Sequence, residues 1–178
     1  MSTSIADFLS GTGYFSSWSP QELTEFSTHF QKYNLKEGDI LFKEGDEDNA
    51  WYIIMSGRIS IIRDGQVGSS HILAELERGE AFGEMSLLEK RPRMGSAMSM
   101  EESVILKLDR IIFEALLTDH HPIAVGMLKE MAISQSRRLR EIVFILQDLT
   151  EADMVQDVLP DVGPLDVNSV LRASLLFN

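Results

Sequence analysis

The sequence contains no cysteine. Disulfides, thiolate zinc sites, iron–sulfur clusters and a cysteine nucleophile are therefore excluded, and the composition fits a reducing compartment. Basic residues are scarce: Lys and Arg number 16 against 28 Asp and Glu, for a formal net charge of -12. Nucleic-acid binding depends on neutralising phosphates with Lys and Arg, so no DNA partner is expected. No apolar run approaches the length of a bilayer span, so no membrane partner is expected either. Residues 1–10 have neither the basic start nor the apolar stretch of a signal peptide, and a cytoplasmic location is the expectation. Of the 4 histidines, only His71 falls in the strand-rich region; His29, His120 and His121 lie in helical or connecting segments. A metal site needs clustered ligands and is not expected. No nucleophile, base and orienting group can be nominated as a set, so the chain is not expected to be an enzyme or to need a cofactor.

What is present is an ordinary globular composition, 44 % hydrophobic and 25 % charged over 178 residues, enough for one good core. Ser19-Pro20-Gln21-Glu22 reads as a capping box, with Ser at the N-cap and Pro at the first helical position. Trp18 and Leu23 have the spacing of a hydrophobic staple, and Leu23, Phe26 and Phe30 line one helical face. Upstream, Ile5 to Leu9 fits a further helical turn, and Gly11-Thr12-Gly13 a loop.

From Asn34 to Asp109, short runs of β-branched and aromatic residues alternate with turn residues. The expected strands are Asp39 to Phe42, Ala50 to Met55, Arg58 to Arg63, His71 to Leu76, Ala97 to Met100 and Val104 to Leu108. Such a series predicts a closed or sandwich-like β structure. Asp109 is placed to cap a short helix carrying Ile112, Phe113, Leu116 and Leu117. Pro122 then opens a long helix to about Asp148. Two heptad series interleave along it: Ala132, Leu139 and Leu146; Leu128, Gln135, Ile142 and Leu149. That stripe is either a homodimer seam or intramolecular core, and the seam is the preferred reading. Met127, Met131 and Ile145 point to another side, expected to pack on the β domain, while Arg137, Arg138 and Arg140 form a solvated face. The expected organisation is a helical segment 1–33, a β region 34–121, a long helix 122–149 and an acidic tail 150–178. Asp166 could cap a final helix carrying Val170, Leu171, Leu175 and Phe177.

Chemistry concentrates between Gly79 and Ala97. Gly83 permits an unusual backbone angle or close approach of a ligand. Glu84 to Leu88 opens as a short helical turn whose free N–H groups suit an anion. Arg93 can bind a phosphate with paired hydrogen bonds, and Glu84 can accept from a sugar hydroxyl. These are the ingredients for a sugar phosphate. The same residues also fit a tight turn at Gly83 and a Glu84–Arg93 salt bridge.

The run Phe82-Gly83-Glu84-Met85-Ser86-Leu87-Leu88, followed by Arg91-Pro92-Arg93, resembles the phosphate-binding cassette of cyclic-nucleotide-binding domains. These include the bacterial catabolite-activator family, protein kinase A regulatory subunits and cyclic-nucleotide-gated channels. Glu37 to Asp46 and Trp51 to Gly57 resemble the family's early strands and turns. The resemblance implies an α+β fold: a β-roll (double-stranded β-helix, jelly-roll-like) flanked by an N-terminal helix and a long C-terminal helix. It implies that Glu84 accepts the ribose 2′-hydroxyl and that Arg93 pairs with the exocyclic phosphate oxygens. Phe82, Gly83, Met85, Ser86 and Gly95 would lie at the phosphate, Leu73 and Ala74 beside the base, and Ile61 at a more distant wall. The ligand would be cAMP, with cGMP an alternative, sensed and transmitted through the C-terminal helix to a protein effector of unknown identity or a second subunit. Two positions depart from the pattern. Met94 follows the cassette arginine where Ser, Thr or Ala is frequent. The helix positions that read the base in activator-type relatives fall near Ile142 and Val143. With only the acidic residues 150–178 after the long helix, no helix-turn-helix is expected. A protein-interaction or dimerisation module on the same fold, with a non-signalling pocket, is the alternative.

Overall fold

The computed structural model describes residues 4–15, 17–64 and 70–151. The chain divides within its last helix: residues up to Glu130 form one compact unit, and a second starts at Met131.

The first unit opens with α1 (Ile5–Ser10), a 3-10 turn (Gly13–Phe15) and α2 (Pro20–Ser27). The Ser19 capping box forms: the Ser19 N–H donates to the Glu22 carboxylate at 2.7 Å, and the Glu22 N–H donates to Ser19 Oγ at 3.3 Å. Leu23, Phe26 and Phe30 are buried together, although α2 stops before Phe30.

Eight strands follow: β1 (Gln31–Leu35), β2 (Ile40–Phe42), β3 (Trp51–Ser56), β4 (Arg58–Asp64), β5 (Ser70–Glu77), β6 (Ala81–Phe82), β7 (Ser96–Ser99) and β8 (Ser103–Leu108). They form two antiparallel sheets, ordered β1-β8-β3-β6 and β2-β7-β4-β5. This is the expected β-roll within an α+β fold. β1 and β6 lie outside the strand series expected from the sequence. β1 is a mostly exposed edge strand of polar residues, and β6 has only two residues, so neither carries an alternating pattern.

Period-two geometry explains how β3 joins two cores. Tyr52 belongs to the core between the sheets, with Phe42, Ile54, Ile59, Leu76, Phe82 and Ile105. It stacks on Phe82 at 5.3 Å between centroids and meets Phe42 at 5.6 Å. Trp51 faces the opposite way, meeting Phe15 at 6.3 Å and Phe30 at 6.4 Å. Phe15, Trp18 and Phe26 complete that second cluster, which roots the N-terminal helices on the sheet.

A short helix α3 (Glu84–Glu89) interrupts the strands after β6, and α4 (Arg110–Thr118) and α5 (Pro122–Glu151) follow them. Asp109 sits at the N-cap of α4, but its side chain does not cap the helix. Its carboxylate instead pairs with Lys107 Nζ at 2.9 Å and accepts from Gln31 Nε2 at 3.3 Å. An ammonium partner outweighs the backbone N–H it would otherwise accept from. The first turns of α5 bury Ile123, Ala124 and Met127.

In the second unit, α5 runs on with an exposed apolar stripe. Leu139 is 60 % exposed and Ile142 53 %. Ile145 is 58 % exposed. Met131 itself is buried. Among the described residues, no helix is long and apolar enough to cross a membrane. The expectations placed on residues 152–178, including the helix after Asp166, lie outside the described residues.

Candidate functional site

The site is assembled where the β2–β3 turn meets the segment after α3. Asp46 shapes the turn: its carboxylate accepts from the Lys43 N–H at 2.8 Å, and its own N–H donates to the Lys43 carbonyl at 3.1 Å. The turn then grips the backbone of Arg93 from both sides. The Gly45 N–H donates to the Arg93 carbonyl, and the Arg93 N–H donates to the Asp46 carbonyl, each at 2.9 Å.

The Arg93 side chain is only 2 % exposed. A guanidinium has five N–H donors, and their partners can be accounted for. Two on Nη1 reach the Gly83 carbonyl at 3.1 Å and Ser86 Oγ at 2.7 Å. Two on Nη2 reach the Ala50 carbonyl at 2.8 Å and Asp48 Oδ2 at 3.3 Å. The fifth, Nε–H, is buried with no hydrogen-bond partner among the described residues. The planar group also lies over the Phe42 ring, 4.1 Å from its centroid, and 5.3 Å from that of Tyr52. Burying a cation this deeply is tolerable only with this degree of pairing.

Gly83 makes the approach possible. It is the N-cap of α3 with φ at 84°, a left-handed conformation costly for any side chain. A Cβ there would lie 2.6 Å from Arg93 Nη1 and 2.8 Å from the Ala50 carbonyl oxygen. Glu84 and Ser86, in the first turn of α3, are both buried.

Asp48 links this arginine to a longer chain of charges. It accepts a short hydrogen bond from the Tyr52 hydroxyl, and Lys107 Nζ lies 3.8 Å from its other oxygen. Burial pushes the Asp48 carboxyl up, but the Tyr52 hydrogen bond and the charges of Lys107 and Arg93 outweigh it and hold it below the ordinary carboxylate range. Burial first, then Asp48, drives the Tyr52 hydroxyl far above its usual value. Burial pulls the Lys107 ammonium down, but bonding to Asp109 and the Asp48 charge raise it overall.

The residues singled out from the sequence fall into three groups. Phe82, Gly83, Glu84, Ser86 and Arg93 meet around the guanidinium or on the elements that enclose it. Gly95 is buried against β4: a Cβ would lie 2.8 Å from the Ile62 carbonyl oxygen and 3.3 Å from Ile61 Cγ2. Ile61 in turn pairs with Ala74 across β4 and β5. Between Ile61 and Ile62 the register slips, Ile61 facing Ala74 and Ile62 facing Ile72, so Leu73 is the extra residue of a bulge. Leu73 is 49 % exposed. Met85 and Met94 turn outward, Met94 with 56 % exposure, and neither side chain joins the Arg93 hydrogen bonds. Sequence reasoning missed Asp48, Tyr52, Phe42 and Lys107. The cluster of acids from Glu44 to Asp48 was the one available signal, and it reads equally as a solvated turn.

The family model described as the cyclic nucleotide-binding domain matches residues 32–120. The cyclic AMP receptor protein of Thermus thermophilus is 33 % identical over 133 residues, covering 75 % of this chain and 60 % of that protein. The crystal structure of the Thermus thermophilus catabolite activator protein aligns with a TM-score of 0.66 at 33 % identity, over 77 % of this chain and 62 % of that one. A lysophospholipase of Neurospora crassa is 29 % identical over 113 residues, which are 64 % of this chain but 8 % of that enzyme. The chain thus spans less than two thirds of each of these relatives.

Proposed function

The chain belongs to the cyclic nucleotide-binding domain family, and on that premise we propose that it is a cyclic-nucleotide sensor whose ligand phosphate is taken by Arg93. One observation carries the reading: a buried guanidinium, clamped at four donors, two of them on the Gly83 carbonyl and Ser86 Oγ, whose Nε–H is unpaired among the described residues. Such a donor is costly to leave unmet and strong when an anion meets it. In this reading Glu84 accepts the ribose 2′-hydroxyl, while the backbones of Gly83, Met85, Ser86 and Gly95 face the phosphate. Phe82 and Met94 flank the cassette, Leu73 and Ala74 lie beside the base, and Ile61 closes the far wall. The bulge at Leu73 supports the base assignment, because it leaves that apolar side chain half exposed and open to a ligand. The preferred ligand is cAMP, supported by the receptor relative's own ligand, with cGMP as the competitor. Residues 34–121 are the binding body and 122–149 the transmitting helix, acting in the cytoplasm on a protein partner. A ligand shifts such a helix only by its differential affinity for two states.

A second reading has its own support. The exposed apolar stripe on α5, with Leu128, Leu139, Ile142 and Leu146, fits a homodimer seam, and a dimerisation module with a silent pocket would keep that seam. Calorimetric titration of nucleotide-stripped protein with cAMP and then cGMP separates the two. Saturable binding that weakens by about 2–5 kcal/mol in Arg93→Ala is the expected result. No heat from either nucleotide in folded protein would leave the dimerisation module.

A further inference from the structure

Arg93 is not the whole of the electrostatic site. Arg93, Asp48, Lys107 and Asp109 form a row whose charges alternate in sign and cancel, with successive separations of 3.3, 3.8 and 2.9 Å. Of the four protein bonds to the guanidinium, the one to Asp48 is the longest, at 3.3 Å. An anion that meets the unpaired Nε–H and takes Nη2 as its second donor therefore competes first with Asp48. Once displaced, Asp48 still has Tyr52 and Lys107 as partners. Asp109 then remains at the N-cap of α4, where the helix end favours negative charge. Every anion of the row has a partner after one negative charge has been added. A second negative charge would find no cation left, and would face the Asp48 carboxylate at short range.

From this we infer that Asp48 is a specificity-determining residue: it limits the Arg93 site to one negative charge, so that a phosphodiester monoanion is accepted and a phosphomonoester dianion is refused. The inference rests on the cyclic-nucleotide reading above and adds a chemical criterion for the ligand. A cyclic phosphate carries a single charge at neutral pH. The corresponding nucleoside monophosphate carries up to two, its second ionisation falling near about pH 6.

The test is a comparison of cAMP with adenosine 5′-monophosphate on the full chain by calorimetry, in the parent, Asp48→Asn and Asp48→Glu. The parent should favour the cyclic nucleotide strongly. Asp48→Asn should narrow that preference by about tenfold or more, chiefly by admitting the monophosphate, as removal of a like charge at close range requires. Asp48→Glu, which keeps the charge, should retain the preference. A measurement on the parent alone guards against a variant that does not fold. Between about pH 7.5 and about pH 5 the monophosphate loses its second charge, so the preference for the cyclic ligand should shrink. A preference unchanged in Asp48→Asn, or one independent of pH in the parent, overturns the role of Asp48 while leaving the sensor reading intact. A parent that binds no cyclic nucleotide overturns the sensor reading itself.

Discussion

Replacing Gly83 by Ala tests whether the backbone at the start of α3 is shaped for Arg93, and the fold supplies its own control. Gly83 and Gly38 have nearly the same left-handed φ, 84° and 83°. Either substitution forces an L-residue into that conformation, at roughly 1–2 kcal/mol. Their surroundings differ. A Cβ at Gly38 meets nothing within 4 Å, whereas at Gly83 it lies 2.6 Å from Arg93 Nη1 and 2.8 Å from the Ala50 carbonyl oxygen. The Ala50 oxygen is backbone of the buried β3 entry and has little room to yield. The guanidinium must therefore move, loosening its bonds to the Gly83 carbonyl and Ser86 Oγ. Bonds to a charged group contribute about 1.5–3 kcal/mol each. Gly83→Ala should thus cost about 3–5 kcal/mol of stability, against about 1–2 for Gly38→Ala. Urea unfolding read from midpoints at constant slope measures the difference. Calorimetry should show nucleotide affinity falling in Gly83→Ala and holding in Gly38→Ala. Equal destabilisation with unchanged affinity in both would refute the claim that Gly83 is there for the arginine.

Two further outcomes follow from particular contacts. Asp48 has its carboxyl held low in the folded chain, so its contribution is present above the unfolded value, near about pH 3.9, and is lost as pH falls through the folded one. The urea midpoint of the parent should therefore decline below about pH 4 more steeply than that of Asp48→Asn, and parallel curves would count against the Arg93–Asp48–Lys107 coupling. Ile142→Glu places a charge on the exposed stripe of α5 at a side chain 53 % exposed. Helix content by circular dichroism should be unchanged while sedimentation shifts from dimer to monomer; a parent that already sediments as a monomer would remove the seam.

Local chemistry was readable wherever a residue's neighbours in sequence are also its partners in space. The Ser19–Glu22 capping box spans three residues, and its two hydrogen bonds form as the pattern requires. Glycine at the head of α3 was legible for the same reason, since a turn and a left-handed φ are local demands. The cassette's resemblance to a known family carried the roll itself. β1 was not legible: Gln31 to Leu35 is mostly polar, and its strand state comes from five pairings with β8, about seventy residues later. Asp109 shows the competition directly. Its position gives it the N-cap, but Lys107 and Gln31, brought beside it by β8 and β1, take the carboxylate.

The amino-acid sequence by itself therefore determined the helices and six of the eight strands, the glycine turns and the pair Glu84 and Arg93 as the chemically distinctive residues. Only the tertiary structure decided what Arg93 is bound to. Asp48 and Ala50 come from one segment, Gly83 and Ser86 from a second, and Lys107 extends their network from a third. No spacing rule relates Asp48, Ala50 and Lys107 to Arg93, because the distances that matter run across the fold rather than along the chain. The charge of the site, unlike its motif, is a sum over neighbours that folding alone brings together.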